Sequence, residues 1–137
     1  MALKKLAKIL LVDDSVADNY LHRRLITKLD LAEEVVVAHN GIEALEYLTV
    51  PVNGAYARPD LLFLDINMPG MDGWEFLDAY ERLEADRKAG MVICMLTTAY
   101  SDRDLDRARQ HGIVNDYLGK PLDEEKLLRA YRKAMRG

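Results

Sequence analysis

The chain has 137 residues, half of them apolar and 31% charged, which suits one packed domain of ordinary size and excludes a disordered chain. Its 19 Lys and Arg against 23 Asp and Glu give a formal charge of -4, a poor match for non-specific binding to a nucleic-acid backbone, although a local basic patch stays open. A single cysteine, Cys94, excludes an intramolecular disulfide, and with no signal-like start a reducing, cytoplasmic setting is expected.

The first apolar run, Ile9-Leu10-Leu11-Val12, precedes a segment in which Ala17, Leu21, Leu25 and Leu29 recur every fourth residue, the pattern of a strand and then a helix. Val35-Val36-Val37-Ala38 is followed in the same way by Ile42, Leu45 and Leu48. A connection over 49–59, with Pro51, Gly54 and Pro59, reads as a surface loop. Leu61-Leu62-Phe63-Leu64 leads to the stripe Trp74, Leu77 and Tyr80. The run 91–96, which holds Cys94 as a small buried thiol, leads to Leu105 and Ala108, with Ser101 and Asp104 as an imperfect capping box. Ile113-Val114 with Tyr117-Leu118 forms the fifth strand, and Leu128, Tyr131 and Met135 mark the last helix.

The first four runs are nearly continuous rather than alternating, as in strands buried on both faces of a parallel sheet. Five strand–helix pairs in strict alternation therefore predict an α/β fold, a doubly wound sandwich with right-handed crossovers and helices on both faces. The apolar runs are too short to cross a bilayer. A single domain over 1–137 is expected, with its core over about 7–136 and no effector domain.

In such a sheet ligands collect beyond the carboxyl ends of the strands. There the first strand ends in Asp13-Asp14, the third in Asp65 and the fourth in Thr97-Thr98, and Lys120 follows the fifth. A lone Asp at a strand end is usually a turn residue or an N-cap, Asp72-Gly73 alone is a turn signal, and a lone Lys is usually a solvated charge. All of these at the same sheet edge are a different matter. If the first and third strands are neighbours, three carboxylates cluster and repel unless a cation joins them. Mg²⁺ suits that need, because it takes one or two carboxylates, keeps waters and completes its shell with phosphate oxygens. A carboxylate nucleophile, a metal, a fixed cation and a hydroxyl are equipment for phosphoryl transfer.

With these residues in place, the sequence resembles the receiver domain of two-component response regulators over nearly its whole length. The resemblance rests on Ile9-Leu10-Leu11-Val12-Asp13-Asp14-Ser15, Leu64-Asp65-Ile66-Asn67-Met68-Pro69-Gly70-Met71-Asp72-Gly73, Leu96-Thr97-Thr98-Ala99 and Asp116-Tyr117-Leu118-Gly119-Lys120-Pro121, in this order. It implies a CheY-like, flavodoxin-like (βα)5 fold with strand order 2-1-3-4-5. It implies Asp65 as phosphoryl acceptor, and Asp13, Asp14, Asp65 and the backbone carbonyl of Asn67 as Mg²⁺ ligands, with Mn²⁺ able to substitute. Lys120 would pair with the phosphoryl oxygens, and the Lys120-Pro121 bond would be cis. Thr98, preferred over Thr97 because the small Ala99 follows it, would bind the phosphoryl group, and Tyr117 would rotate inward behind it. Asn67 and Tyr100 stand where the family tunes the lifetime of the phosphoryl group.

The resemblance further implies a sensor histidine kinase or a histidine phosphotransfer protein as donor. Output would pass through the surface of the fourth helix, fifth strand and fifth helix. Arg103, Arg107, Arg109, Asp116, Arg129 and Arg132 there would support a homodimer. The output partner is not named by the sequence, and neither direct DNA binding nor membrane attachment is expected. Such a chain is a signalling phosphoacceptor and not an enzyme, catalysing only its own phosphorylation and dephosphorylation. The 49–59 loop and the stretch 82–90 are longer than in the shortest family members. Asn53-Gly54-Ala55-Tyr56 with Arg58-Pro59-Asp60 is similar to single-domain regulators associated with phytochrome-type histidine kinases.

Competing chemistries fit less well. A haloacid-dehalogenase phosphatase needs a second Asp two residues after its nucleophile, and Asn67 stands there. Asp13-Asp14 would repel a flavin phosphate, and the Gly-rich loop of P-loop NTPases is missing from the sequence.

Overall fold

The structure, a computed structural model, describes residues 4–68, 70–96 and 102–136, with backbone alone at 96, 104, 105, 108 and 109. Strands β1 (Leu6–Val12), β2 (Ala32–Ala38), β3 (Leu61–Asp65), β4 (Val92–Leu96) and β5 (Asp116–Gly119) alternate with helices α1 (Val16–Leu29), α2 (Gly41–Thr49), α3 (Gly73–Glu81), α4 (Asp102–Gln110) and α5 (Glu124–Arg136). The strands form one parallel sheet in the order β2-β1-β3-β4-β5, as expected.

Alternate residues of each continuous run enter opposite layers. Leu10, Val12, Leu62, Leu64, Val92 and Cys94 pack with Ala44 and Leu48 of α2 and Trp74, Leu77 and Tyr80 of α3. Ile9, Leu11, Phe63, Ile93 and Met95 pack with Ile26 of α1 and Leu127, Ala130 and Tyr131 of α5. Burial pushes the Cys94 thiol up to about 12, so it stays a protonated packing group.

Several helix faces differ from expectation. In α1 the buried row is Asn19, His22 and Ile26, while Leu21 is 55% exposed and Ala17 is exposed. A row of fourth residues turns by about 40° per step around a helix, so the row starts at the surface with Ala17 and Leu21 and reaches the core only at the half-buried Leu25 and Leu29. In α2, Ala44 and Leu48 are buried and Ile42 is 58% exposed. In α5, Leu127 and Ala130 join Tyr131 inside, and Met135 lies at the surface. The α3 stripe is buried as expected. Strand β5 starts at Asp116, and Ile113 and Val114 pack half-buried against the α2–α3 layer. The Ser101–Asp104 cap and the Leu105 and Ala108 side chains lie outside the described residues.

The 49–59 loop folds into a small turn. Val52 and Ala55 pair across Asn53-Gly54, whose φ values of 53° and 80° are left-handed, a conformation Asn and Gly tolerate best. The 82–90 stretch holds a short 3₁₀ turn, Ala85–Arg87. The two segments meet: Arg87 Nη2 donates to Tyr56 Oη at 2.9 Å, and the guanidinium stands 4.7 Å from the Tyr56 ring centroid. Among the described residues no helix is long and apolar enough to cross a membrane.

Candidate functional site

Register brings the acidic residues together. Val12 of β1 lies opposite Leu64 of β3, so the next residue of each strand, Asp13 and Asp65, reaches the same edge. Asp13 is fully buried, Asp65 is 2% exposed and Asp14 faces solvent. One carboxylate oxygen from each of the three lies within 4.8 Å of the others.

Local backbone bonding fixes this edge. Ser15 caps α1, its Oγ accepting from the Asp18 N–H at 3.2 Å, while the Ser15 N–H donates to Asp13 Oδ1 at 2.9 Å. Asn19 Nδ2 donates to the Asp13 carbonyl at 2.8 Å. Beyond β3, the Asn67 N–H donates to Asp65 Oδ1 at 3.1 Å. Asp72 is more than a turn residue: it caps α3 in a reciprocal box with Glu75. Gly73, the first residue of α3, packs so closely that a Cβ there would stand 2.6 Å from Ile66 Cα and 2.9 Å from the Asp65 carbonyl oxygen.

Lys120, followed by a cis peptide to Pro121, reaches into the cluster. Its Nζ lies 2.6 Å from Asp13 Oδ2, 2.9 Å from Asp18 Oδ2 and 3.4 Å from Asp65 Oδ2. Burial works against the Lys120 ammonium, but hydrogen bonds to Asp13 and Asp18 and the charge of Asp65 outweigh it and hold the group protonated. The hydrogen bond from Lys120 holds the Asp18 carboxyl below its ordinary range. Burial first, and the charge of Asp13 second, push Asp65 up to about 7 against the pull of Lys120 and the Asn67 N–H.

One ammonium therefore faces three carboxylates, two of them buried, and the exposed Asp14 adds a fourth to the edge. An all-oxygen donor set, crowded with negative charge and open to solvent through Asp14, fits a hard metal ion.

Asp13, Asp14, Asp65 and Lys120 thus meet at one edge, with the Asn67 backbone beside Asp65. Tyr117 lies on β5 opposite Cys94, half-buried against the α2–α3 layer. Thr97, Thr98 and Tyr100 lie outside the described residues. Arg129 and Lys133 both grip the nearly buried Asp116, at 3.2 and 2.9 Å from Oδ2, and Arg107 covers the Trp74 ring at 4.8 Å. Asp18, Asn19 and His22 are additions from α1. The sign that points to them is the Ser15 cap, which places the first turns of α1 at the acidic edge.

A doubly wound parallel sheet with a carboxylate–lysine cluster at its carboxyl edge defines a class of α/β domains equipped to handle a negatively charged group. The family model for the response regulator receiver domain matches residues 9–132. The probable methanogenesis regulatory protein FilR2 of Methanothrix harundinacea is 38% identical over 121 residues, covering 88% of this chain and 76% of that protein. A two-component response regulator structure from Cytophaga hutchinsonii superposes with a TM-score of 0.85 at 27% identity, covering 98% of this chain and 100% of its own. The bacteriophytochrome response regulator AtBRR gives 0.76 at 32% identity, covering 96% and 94%. The chain spans 6% to 32% of three longer curated relatives. This chain belongs to the response regulator receiver domain family, and it is a receiver domain homologous to phosphoacceptor response regulators.

Proposed function

We propose that Asp65 accepts a phosphoryl group from the phosphohistidine of a sensor histidine kinase or a histidine phosphotransfer protein. The observation that carries this reading is the buried Asp65 carboxylate, with Lys120 Nζ 3.4 Å from Oδ2 and oxygens of Asp13 and Asp14 within 4.8 Å. The Asn67 N–H holds Oδ1 and leaves Oδ2 turned toward Lys120. An Asp65 oxygen attacks phosphorus in line, the P–N bond breaks, and its electron pair leaves with the imidazole, neutral if its other nitrogen carries a proton. The Lys120 ammonium meets the charge on the transferring oxygens. Asp13, Asp14, Asp65 and the Asn67 backbone carbonyl would hold Mg²⁺, or Mn²⁺ in its place, which when bound neutralises phosphoryl charge.

The new group carries roughly -1.5 to -2 charge in place of the single negative charge of the Asp65 carboxylate, so this edge gains up to about one negative charge. Thr98 takes a phosphoryl oxygen, Tyr117 follows it inward, and the α4-β5-α5 surface changes population toward its active form. That surface controls a protein partner or a homodimer. Asn67 and Tyr100 set how readily water reaches the acyl phosphate.

A groove of about 500 Å³ between α1 and the loop after β5, lined by Leu21, Arg24, Leu25, Lys28 and Pro121, lies beside Lys120 and suits the donor protein. The receiver domain works in the cytoplasm, without enzyme activity on other substrates and without direct contact with DNA or membrane. The 32% identity to AtBRR and the loop held by Tyr56 and Arg87 support a place among phytochrome-associated regulators.

Incubation with acetyl phosphate and Mg²⁺ tests the reading by intact mass. The wild type should gain one phosphoryl group and Asp65→Asn none. No gain in the wild type, with Mg²⁺ binding verified, overturns it.

A further inference from the structure

Lys120 is shared more widely than its task requires. Phosphoryl transfer to Asp65 asks its ammonium to face the acceptor and the incoming oxygens. The acceptor is instead the most distant of its three partners: Asp65 Oδ2 stands at 3.4 Å, against 2.6 Å for Asp13 and 2.9 Å for Asp18. Asp13 belongs to the carboxylate cluster, whereas Asp18 does not. Asp18 comes from the first turn of α1 and is held there by a short relay: Asp13 Oδ1 accepts from the Ser15 N–H, and Ser15 Oγ accepts from the Asp18 N–H. Its side chain is 37% exposed, so no burial forces it onto Lys120.

We propose that Asp18 is a positioning residue that draws the Lys120 ammonium toward α1, away from Asp65, and so restrains phosphorylation of the resting protein. The inference rests on the reading of Asp65 as phosphoryl acceptor. Two effects act in the same direction. An ammonium has three N–H donors, and Asp18 occupies one that a phosphoryl oxygen would otherwise take. The Asp18 carboxylate also adds negative charge beside a site where more must gather.

The restraint reaches beyond the lysine. His22, one turn further along α1, accepts a long hydrogen bond from the Leu122 N–H at 3.4 Å. Helix α1 and the loop after β5 are thus joined by two polar contacts, and the Asp18–Lys120 contact is the one the incoming phosphoryl charge competes with directly. When Lys120 turns to the phosphoryl group, that contact loosens at the wall of the groove formed by Leu21, Leu25 and Pro121. A donor protein seated there would meet a different wall before and after transfer.

The test uses acetyl phosphate with the full chain. Transfer forms the Asp65 Oδ–P bond and breaks the acyl O–P bond, and acetate leaves with the electron pair. Asp18→Asn should be phosphorylated about threefold to tenfold faster than wild type, the effect of removing one nearby charge contact. Asp18→Glu, which restores the carboxylate, should return the rate to the wild-type value. Mg²⁺ affinity, read by calorimetry, should stay unchanged in both. A merely structural role for Asp18 would leave the rate unchanged or lower it. A rate for Asp18→Asn equal to or below wild type overturns the inference while leaving the acceptor reading intact. A rate gain matched by an equal gain in Mg²⁺ affinity also overturns it. No uptake of phosphoryl by the wild type overturns the acceptor reading and this inference with it.

Discussion

Lys120 Nζ lies 2.6 Å from Asp13 Oδ2, a contact that ties the loop after β5 to the end of β1 across the two strands between them. Both groups are removed from solvent, the lysine side chain being 12% exposed. A buried ion pair contributes little net stability, but breaking one strands the surviving charge.

Lys120→Ala leaves Asp13 and Asp65 without their shared counter-charge, so it should destabilise the metal-free protein by about 3 kcal/mol. Urea denaturation in chelator measures the loss. Repeating the melt with Mg²⁺ should shrink it, because the cation replaces part of the missing positive charge. An equal loss in both conditions would mean that the carboxylates do not need neutralising.

Asp65 supplies a pH signature. Its folded-state pKa of about 7 lies above the ordinary 3.8, so the folded state binds the proton more tightly than the unfolded chain. Stability from this group is full below about pH 4 and is lost as pH rises through about 7. His22 acts in the opposite direction: burial lowers its pKa, so its contribution is lost as pH falls below its ordinary 6.5. Comparison with Asp65→Asn cancels the His22 contribution. In chelator, the stability advantage of Asp65→Asn over wild type should grow between pH 5 and pH 8, reaching roughly a few kcal/mol. A constant difference across that range would show that Asp65 titrates normally.

Gly73→Ala tests how α3 is seated against the acceptor strand. The added Cβ would meet backbone atoms, Ile66 Cα and the Asp65 carbonyl oxygen, which cannot rotate away. A cost of about 1–3 kcal/mol in urea denaturation is expected, with slower phosphoryl uptake because the acceptor strand end shifts. A variant as stable as wild type would contradict the close seating.

The strands and the acidic edge were legible in the sequence because both follow from one-dimensional signals. A continuous run such as Leu61-Leu62-Phe63-Leu64 has to be covered on both faces, and parallel register then sets Asp13 beside Asp65. The helix faces were less legible. In α1 the inward row contains Asn19 and His22, polar residues that bond the Asp13 carbonyl through Nδ2 and the Leu122 N–H through Nε2, so apolar periodicity points to Leu21 instead. Asp18 carries no sign in the sequence beyond the Ser15 cap, because an acidic residue in a first helical turn is ordinary and only the fold brings Lys120 to it.

The most direct measurement is the position of the acyl phosphate. Borohydride reduction of the phosphorylated protein converts an aspartyl phosphate to homoserine, which peptide mass mapping can place in the chain. Homoserine at position 65 alone is the predicted result. Homoserine at position 13 or 14, or phosphate bound with none at position 65, would contradict the assignment of Asp65 as the acceptor.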